Sequence, residues 1–205
     1  SAHMVNKAKP ARAIYDSLLS RAPLGRCPFC GVGHASTLDH YLPKTKYPQL
    51  SVVPLNLVPS CKDCNTGKST AIASSAEAQS LHPYFDHQHF ITEQWIFAEV
   101  MPTRPATIRF FANPPAHWDD ISKARVQSHF KDFKLASRYS VESGNQIACL
   151  RDSLRSYREI LGEDGVKQHL MIEAHTYARQ HSNSWQTAMF KALAENDWYC
   201  DDGFL

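Results

Sequence analysis

The sequence has no long hydrophobic run, and no stretch approaches the roughly 20 apolar residues that a membrane-spanning helix needs. It also lacks a positively charged N-terminal segment followed by an apolar core. This absence predicts that the chain carries no secretory signal and acts in the cytoplasm, away from membranes. Ser1-Ala2-His3-Met4 is typical of a tag remnant, and residues 1–9 are predicted to be a flexible N-terminus.

An excess of charge of one sign is also absent. The chain has 22 lysines and arginines against 20 aspartates and glutamates, a formal net charge of +2. Global charge therefore does not identify a nucleic-acid-binding protein. Internal repeats, coiled-coil heptads and low-complexity segments are missing as well. Hydrophobic residues make up 43% of the chain, which is typical of a globular protein.

The cysteines are few, but four of the 6 form two C-x-x-C pairs, Cys27 with Cys30 and Cys61 with Cys64. Without a secretion signal, paired C-x-x-C sequences indicate a metal site before a disulfide. Four thiolates close a tetrahedral shell and predict a structural zinc. The alternative is a thioredoxin-like redox pair at Cys27 and Cys30, which would need no second pair. Cys149 lies in a helical pattern and is predicted to be buried.

Candidate catalytic residues other than cysteine lie between these pairs and just after them, namely Asp39-His40, Asn56 and Asn65. A histidine with a near-neutral pKa suits the activation of a water molecule. A carboxylate and an amide oxygen suit a hydrated Mg²⁺ or Mn²⁺. Because neighbouring strand residues point to opposite sides, Asp39 could bind the ion while His40 reaches a water. The stretch is thus predicted to hydrolyse a phosphodiester bond.

With its cysteine frame, the segment 27–69 resembles the HNH endonucleases, whose fold is a ββα-metal finger. The resemblance rests on Asp39-His40, Asn56, Cys64-Asn65 and the following Gly67-Lys68-Ser69. It implies that His40 is the general base and that Asp39 and Asn65 bind the catalytic Mg²⁺ or Mn²⁺. It also implies that Asn56 fixes the loop that orients His40.

The resemblance further implies a DNA substrate and products with 5′-phosphate and 3′-hydroxyl ends. Local lysines, namely Lys44, Lys46 and Lys68, are predicted to contact the substrate. One finger cuts one strand, so double-strand cleavage would require a homodimer or a partner protein. The resemblance also implies a setting in a bacterial anti-phage or toxin system, and anti-phage defence is the one expected here.

Two other functions fit part of the pattern. A non-catalytic zinc module that binds nucleic acid or a protein partner would keep the cysteines, but it would not need Asp39, His40 and Asn65 together. A ribonuclease would use the same residues as a deoxyribonuclease. His82, His87 and His89 form a further local cluster, which is either a second metal or phosphate site or a solvated loop.

The predicted fold class is α+β: a zinc-stapled ββα finger, a small β-hairpin and a mainly helical C-terminal region. Residues 10–82 are predicted to form the nuclease module with an N-terminal helix. Residues 83–205 are predicted to form the hairpin and helices, which would grip substrate or contact a partner. Strands are expected at 37–41, around Val52-Val53, and in a hairpin of 94–101 with 107–111. Helices are expected at 11–19, 61–73, 118–139 and in the periodic segments after residue 147.

Overall fold

The computed structural model of the protein describes Asn6 and residues 8–67 and 73–205. They form two compact units, Ser1–Asp86 and His87–Leu205. Most of the predicted flexible N-terminus, residues 1–9, lies outside the described residues, as do residues 68–72 of the predicted helix 61–73. Within the described ranges, no helix has both the length and the apolar character needed to cross a membrane.

Within its described residues, the first unit contains two short strands and two short helices. In chain order these are α1 (Arg12–Leu19), β1 (Thr37–His40), β2 (Leu57–Ser60) and α2 (Lys62–Gly67). The prediction of a strand around Val52-Val53 is wrong, because Val52 lies in a turn and Val53 leads directly into the helical turn Pro54–Asn56. The second strand begins only after this turn and ends directly before α2.

The two strands pair antiparallel, with Thr37 opposite Ser60 and His40 opposite Leu57. Since side chains alternate along a strand, Thr37 and Asp39 share one face of β1, whereas Leu38 and His40 share the other. The amphipathic helix α1 packs on the second face, where Leu18 and Leu57 are buried together with the half-buried Leu38. The helix α2 packs against β1 as well.

The second unit is built from a hairpin and helices. Its elements are α3 (His89–Thr92), β3 (Ile96–Met101), β4 (Thr107–Ala112), α4 (Asp120–Asp132), α5 (Leu135–Leu161), α6 (Glu163–Gln180) and α7 (Trp185–Ala194). The predicted hairpin of 94–101 with 107–111 is confirmed, and its strands pair Ile96 with Ala112 and Met101 with Thr107. α5 packs on β4 and α7 packs on β3, and α6 lies against both of these helices.

Two expectations for the second unit are wrong. The helix expected at 118–139 is two helices, because Lys134 adopts a left-handed conformation (φ 52°) that a continuous helix does not allow. Cys149 is exposed, because the apolar stripe of α5 that faces the core passes through Ile147, Leu150 and Leu154 instead. Gly162, at φ 74°, then separates α5 from α6 in a conformation that favours glycine.

A buried asparagine ties the start of the hairpin together. The Asn183 side-chain oxygen accepts hydrogen bonds from the backbone N–H groups of Trp95 (2.7 Å) and Ile96 (3.1 Å). Its Nδ2 donates to the carbonyl oxygens of Phe90 (3.1 Å) and Glu93 (2.8 Å). One side chain thereby satisfies four backbone groups next to the core, each of which would be costly to bury alone.

Candidate functional site

The four paired cysteines come together in the first unit, although the two pairs lie far apart in the chain. The first pair sits on a tight knuckle, in which the Gly31 N–H donates to the Cys27 carbonyl oxygen (2.8 Å) and the Cys27 N–H donates to that of Gly33 (2.8 Å). Gly31 has a φ of 68°, which favours glycine at this turn. The second pair lies where β2 ends and α2 begins, so the strand and the helix start carry it to the knuckle.

All four sulfur atoms are buried and lie within 4.8 Å of one another. Cys30 Sγ and Cys61 Sγ are 3.9 Å apart, too far for a disulfide bond of about 2.05 Å, and all six cysteines are free. Hydrogen bonding from the Cys27 thiol lowers the pKa of Cys30 to about 7. Hydrogen bonding with its neighbouring sulfurs, Cys27 first, raises the pKa of Cys64.

This geometry fits a zinc ion. Four sulfurs about 2.3 Å from a central ion would stand roughly 3.8 Å apart at the corners of a tetrahedron. The separation between Cys30 and Cys61 is close to that value. The Cys64 N–H also points at Cys61 Sγ, at 3.4 Å, a contact that stabilises a thiolate. Cys27, Cys30, Cys61 and Cys64 therefore form a candidate zinc site, and no fifth ligand is required.

Asp39 and His40 lie at the end of β1, on the strand that α2 covers. Asp39 is buried, with only 7% of the residue exposed, and His40 is half-buried. His40 Nε2 lies 2.9 Å from the carbonyl oxygen of Ser51, in the loop between the strands. A carbonyl oxygen can only accept, so Nε2 carries the proton and, in the neutral ring, the lone pair is on Nδ1.

Asn56 closes the loop that supplies this carbonyl group. Its Oδ1 accepts from the Leu42 N–H at 2.7 Å, and its Nδ2 donates to the carbonyl oxygens of Leu42 (3.1 Å) and Leu50 (3.2 Å). The side chain is buried, and its backbone carbonyl oxygen accepts from the Tyr41 N–H at 2.9 Å. Asn56 thus joins both ends of the loop and holds Leu50, the residue directly before Ser51.

Asn65 stands on α2, one residue after Cys64, and contacts β1. Its Nδ2 donates to Thr37 Oγ1 at 2.9 Å. Thr37 and Asp39 share a face of β1, so this contact brings Asn65 to the Asp39 side of the strand. The structure therefore gathers Asp39, Asn65 and the cysteine cluster around α2, with His40 at the end of the same strand.

The structure describes two of the three lysines that are predicted to bind substrate. Lys44 and Lys46 are exposed in a turn of the loop between the strands, and Lys68 lies outside the described residues. The loop that Asn56 closes thus carries two positive charges on its outer side. Such charges are suited to a phosphate backbone.

The three histidines of the local cluster are divided between the two units. His82 is buried in the first unit and packs against Tyr41, with ring centroids 4.4 Å apart. His87 and His89 belong to the second unit. Among the described residues, the four cysteines are the one group of histidine, cysteine and acidic side chains with metal-binding geometry.

Two groups that organise this site have weak signals in the sequence. Ser51 contributes a backbone carbonyl oxygen, which any residue could supply, so its identity carries no information. Thr37 precedes Asp39 by two positions, and strand alternation alone could have placed it on the same face. Neither residue stands out until the contacts with His40 and Asn65 are seen.

The fold and the site together define a protein of mixed helices and small two-stranded sheets with a four-cysteine cluster. The chain is similar to "Protein ea31" of Escherichia phage lambda, with 35% identity over 204 residues that cover 94% of this chain and 69% of the relative. The chain belongs to the family of this phage protein. No family model matches the chain, and no solved structure matches it.

Proposed function

We propose that the protein is an HNH endonuclease that hydrolyses phosphodiester bonds in DNA with a single divalent ion. In this proposal β1, β2 and α2 form a ββα-metal finger in which a structural zinc holds the knuckle to the helix. The observation that carries it is the environment of His40, which stands beside the buried Asp39 and binds the Ser51 carbonyl oxygen of an asparagine-closed loop.

The contacts of His40 support a role as general base. Donation from Nε2 to the Ser51 carbonyl oxygen fixes both the ring orientation and the tautomer, which leaves the lone pair on Nδ1. A general base needs this arrangement, because it must accept a proton from the attacking water at a defined position. Asn56 supports this orientation of His40 indirectly, because its side chain binds Leu50, the residue before Ser51.

The two oxygen donors proposed for the ion stand on elements that contact each other. Asp39 would supply a carboxylate oxygen and Asn65 its amide oxygen, because Asn65 Nδ2 is engaged by Thr37. Mg²⁺ and Mn²⁺ accept few protein oxygens and complete their shell with water and phosphate oxygens. Such an ion neutralises charge that develops on the phosphate and stabilises the leaving oxygen.

DNA is the proposed substrate, with Lys44 and Lys46 on the exposed side of the loop as phosphate contacts. Lys68 is proposed for the same role from the sequence alone. A homodimer or a partner protein would supply the second cut that double-strand cleavage needs. The proposed setting, bacterial anti-phage defence, stays a prediction from the resemblance.

Plasmid cleavage tests the proposal. Zinc-loaded protein is incubated with supercoiled plasmid and Mg²⁺ or Mn²⁺, and wild type is compared with His40→Ala. We expect ion-dependent nicking that falls by roughly 10²- to 10⁴-fold in His40→Ala, the usual contribution of a positioned base. His175→Ala, at an exposed histidine of α6, is the matched control and should cleave like wild type.

A labelled RNA is included as a second substrate, and a gel-shift assay follows binding without cleavage. Cleavage of RNA alone would identify a ribonuclease that uses the same residues. A folded, zinc-loaded wild type that cuts neither substrate would overturn the proposal in favour of a zinc module. Binding in the gel shift would then identify its partner as nucleic acid.

A further inference from the structure

A line of hydrogen bonds connects the end of β2 to Asn65 through one hydroxyl group. Thr37 Oγ1 lies 3.3 Å from the Ser60 carbonyl oxygen and 3.2 Å from Ser60 Oγ. The same oxygen accepts from Asn65 Nδ2 at 2.9 Å. Ser60 is fully buried and lies opposite Thr37 in the strand pair, so its position relative to Thr37 is set by the sheet.

This line selects one of the two orientations of the Asn65 amide. A hydroxyl group has a single proton, and Thr37 donates it to the Ser60 carbonyl oxygen, which can only accept, whereas either hydroxyl can donate in the contact with Ser60 Oγ. With its proton directed there, Thr37 Oγ1 can only accept from Asn65, and the group that donates is Nδ2. The amide oxygen is then the atom of Asn65 that remains for a cation.

The three residues also flank the second cysteine pair directly. Ser60 immediately precedes Cys61, and Asn65 immediately follows Cys64. Both ends of the short segment that carries two candidate zinc ligands are thereby linked to β1 through Thr37. Thr37 itself shares a face of β1 with Asp39.

We propose that Thr37 is a positioning residue for a divalent-cation site. Its hydroxyl holds the Asn65 amide with the nitrogen towards β1, so that the amide oxygen and the Asp39 carboxylate serve one hydrated Mg²⁺ or Mn²⁺. The inference rests on the proposed function, because that function supplies the ion. It adds a requirement that the metal ligands alone do not make: a hydroxyl group at position 37.

The first test measures Mn²⁺ binding by calorimetry or electron paramagnetic resonance on zinc-loaded protein without substrate. Thr37→Val keeps the shape but removes the hydroxyl, and we expect Mn²⁺ affinity to fall roughly 10- to 100-fold, as for other groups that orient metal ligands. Thr37→Ser restores the hydroxyl and should restore the affinity. Thr66→Val makes the same change one residue after Asn65, at an exposed threonine that bonds within α2, and should bind like wild type.

Cleavage provides a second readout that separates positioning from stability. In Thr37→Val the Mg²⁺ concentration for half-maximal plasmid cleavage should rise, and the rate at saturating Mg²⁺ should recover. A purely structural role would lower zinc content and the folded fraction without moving that midpoint. Unchanged Mn²⁺ affinity in zinc-loaded Thr37→Val, or a loss that Thr37→Ser does not restore, overturns the inference.

Should Thr37→Val fail to fold, the wild-type protein still decides the question by nuclear magnetic resonance. The Asn65 Nδ2 protons should exchange with water more slowly than those of the exposed Asn113 and show a contact to the Thr37 methyl group. Exchange at the Asn113 rate would contradict the proposed role. If wild type binds no Mn²⁺ and cuts no DNA, the proposed function fails. If wild type and Thr37→Val cleave DNA with the same Mn²⁺ dependence, only the inference about Thr37 fails.

Discussion

The two units of this protein bury very different amounts of apolar surface. The first has strands of 4 residues and a small cluster around Leu18 and Leu57. The first unit also encloses Phe29 and Val58. The second has a helix of 27 residues and a larger number of fully enclosed side chains. These include Leu135, Leu154, Leu170, Met189, Phe190 and Tyr199. Each such side chain contributes about 1.5–3 kcal/mol by leaving water.

The comparison indicates that different interactions hold the two units in shape. A metal ion at the cysteine cluster would join the knuckle to α2 and add to the small apolar core of the first unit. In the second unit, α5 and α7 pack on the hairpin around a larger set of buried apolar side chains. The unit with the smaller core is also the one that holds the candidate site.

Removal of zinc should have the largest effect, and it should affect the first unit but not the second. Cys61→Ser, or chelation of wild type, should unfold the first unit, because four-thiolate zinc sites contribute on the order of 10 kcal/mol to folding. Limited proteolysis with mass spectrometry should then find cuts within residues 8–67 but continued protection of His87–Leu205. Cys149→Ser, at the exposed cysteine of α5, is the control and should behave like wild type. Equal protection of both units after complete zinc removal would contradict this expectation.

Each unit has one buried asparagine whose described hydrogen bonds all go to backbone groups, Asn56 in the first and Asn183 in the second. Removing each side chain therefore compares the two units directly. Asn183→Ala leaves four buried backbone groups without this partner and should lower the free energy of unfolding by about 2–3 kcal/mol. The zinc content should not change. Asn56→Ala should instead lower DNA cleavage roughly 10- to 100-fold, because the loop that orients His40 loses its closure.

Urea unfolding and cleavage rates, measured on both asparagine variants, check this pair. Cleavage that falls only in proportion to the folded fraction, in both variants alike, would show that Asn56 has no role beyond stability. Asn183→Ala is the internal reference, because it removes the same side chain from the unit without the candidate site.

The smallest effect should come from Tyr199, in the core of the second unit. Its hydroxyl oxygen is buried and has no hydrogen-bond partner among the described residues, and burial raises the pKa of this side chain. Tyr199→Phe removes that buried polar group and should increase the free energy of unfolding by up to about 1 kcal/mol. Tyr157→Phe, at a half-buried ring stacked on His169, should leave it unchanged. A loss of stability in Tyr199→Phe would show that the hydroxyl group is hydrogen-bonded in solution.

Local signals in the sequence predicted part of this arrangement. Thr37-Leu38-Asp39-His40 alternates as a strand does, and the C-x-x-C spacing predicted that the four cysteines converge. The hairpin followed from an equally local pattern. The strand propensity of Val52 and Val53 predicts a strand there, but propensity is weaker than the choice of pairing partner, and β1 pairs with Leu57–Ser60.

The contacts within the site depend on long-range packing, so local patterns in the sequence do not predict them. The bond from Asn65 to Thr37 joins residues that only the strand pair and α2 bring together. The acceptor for His40 is a backbone atom, which has no side-chain signature. The prediction that Cys149 is buried is wrong, because a small apolar residue fits a helix surface as well as a core. The apolar stripe through Leu150 and Leu154 decides which side of α5 faces inward.

The closed loop between the strands also has a consequence for how the protein can change. Asn56 joins Leu42 to Leu50, so the chain from Pro43 to Gln49, with Lys44 and Lys46, forms a small loop of its own. Lengthening a loop whose ends are already held together costs little free energy. Insertions or exchanges at this tip should leave the carbonyl group that orients His40 in place. Residues at the loop tip, such as Lys44 and Lys46, can therefore change while the contacts of His40 and Asn56 stay in place.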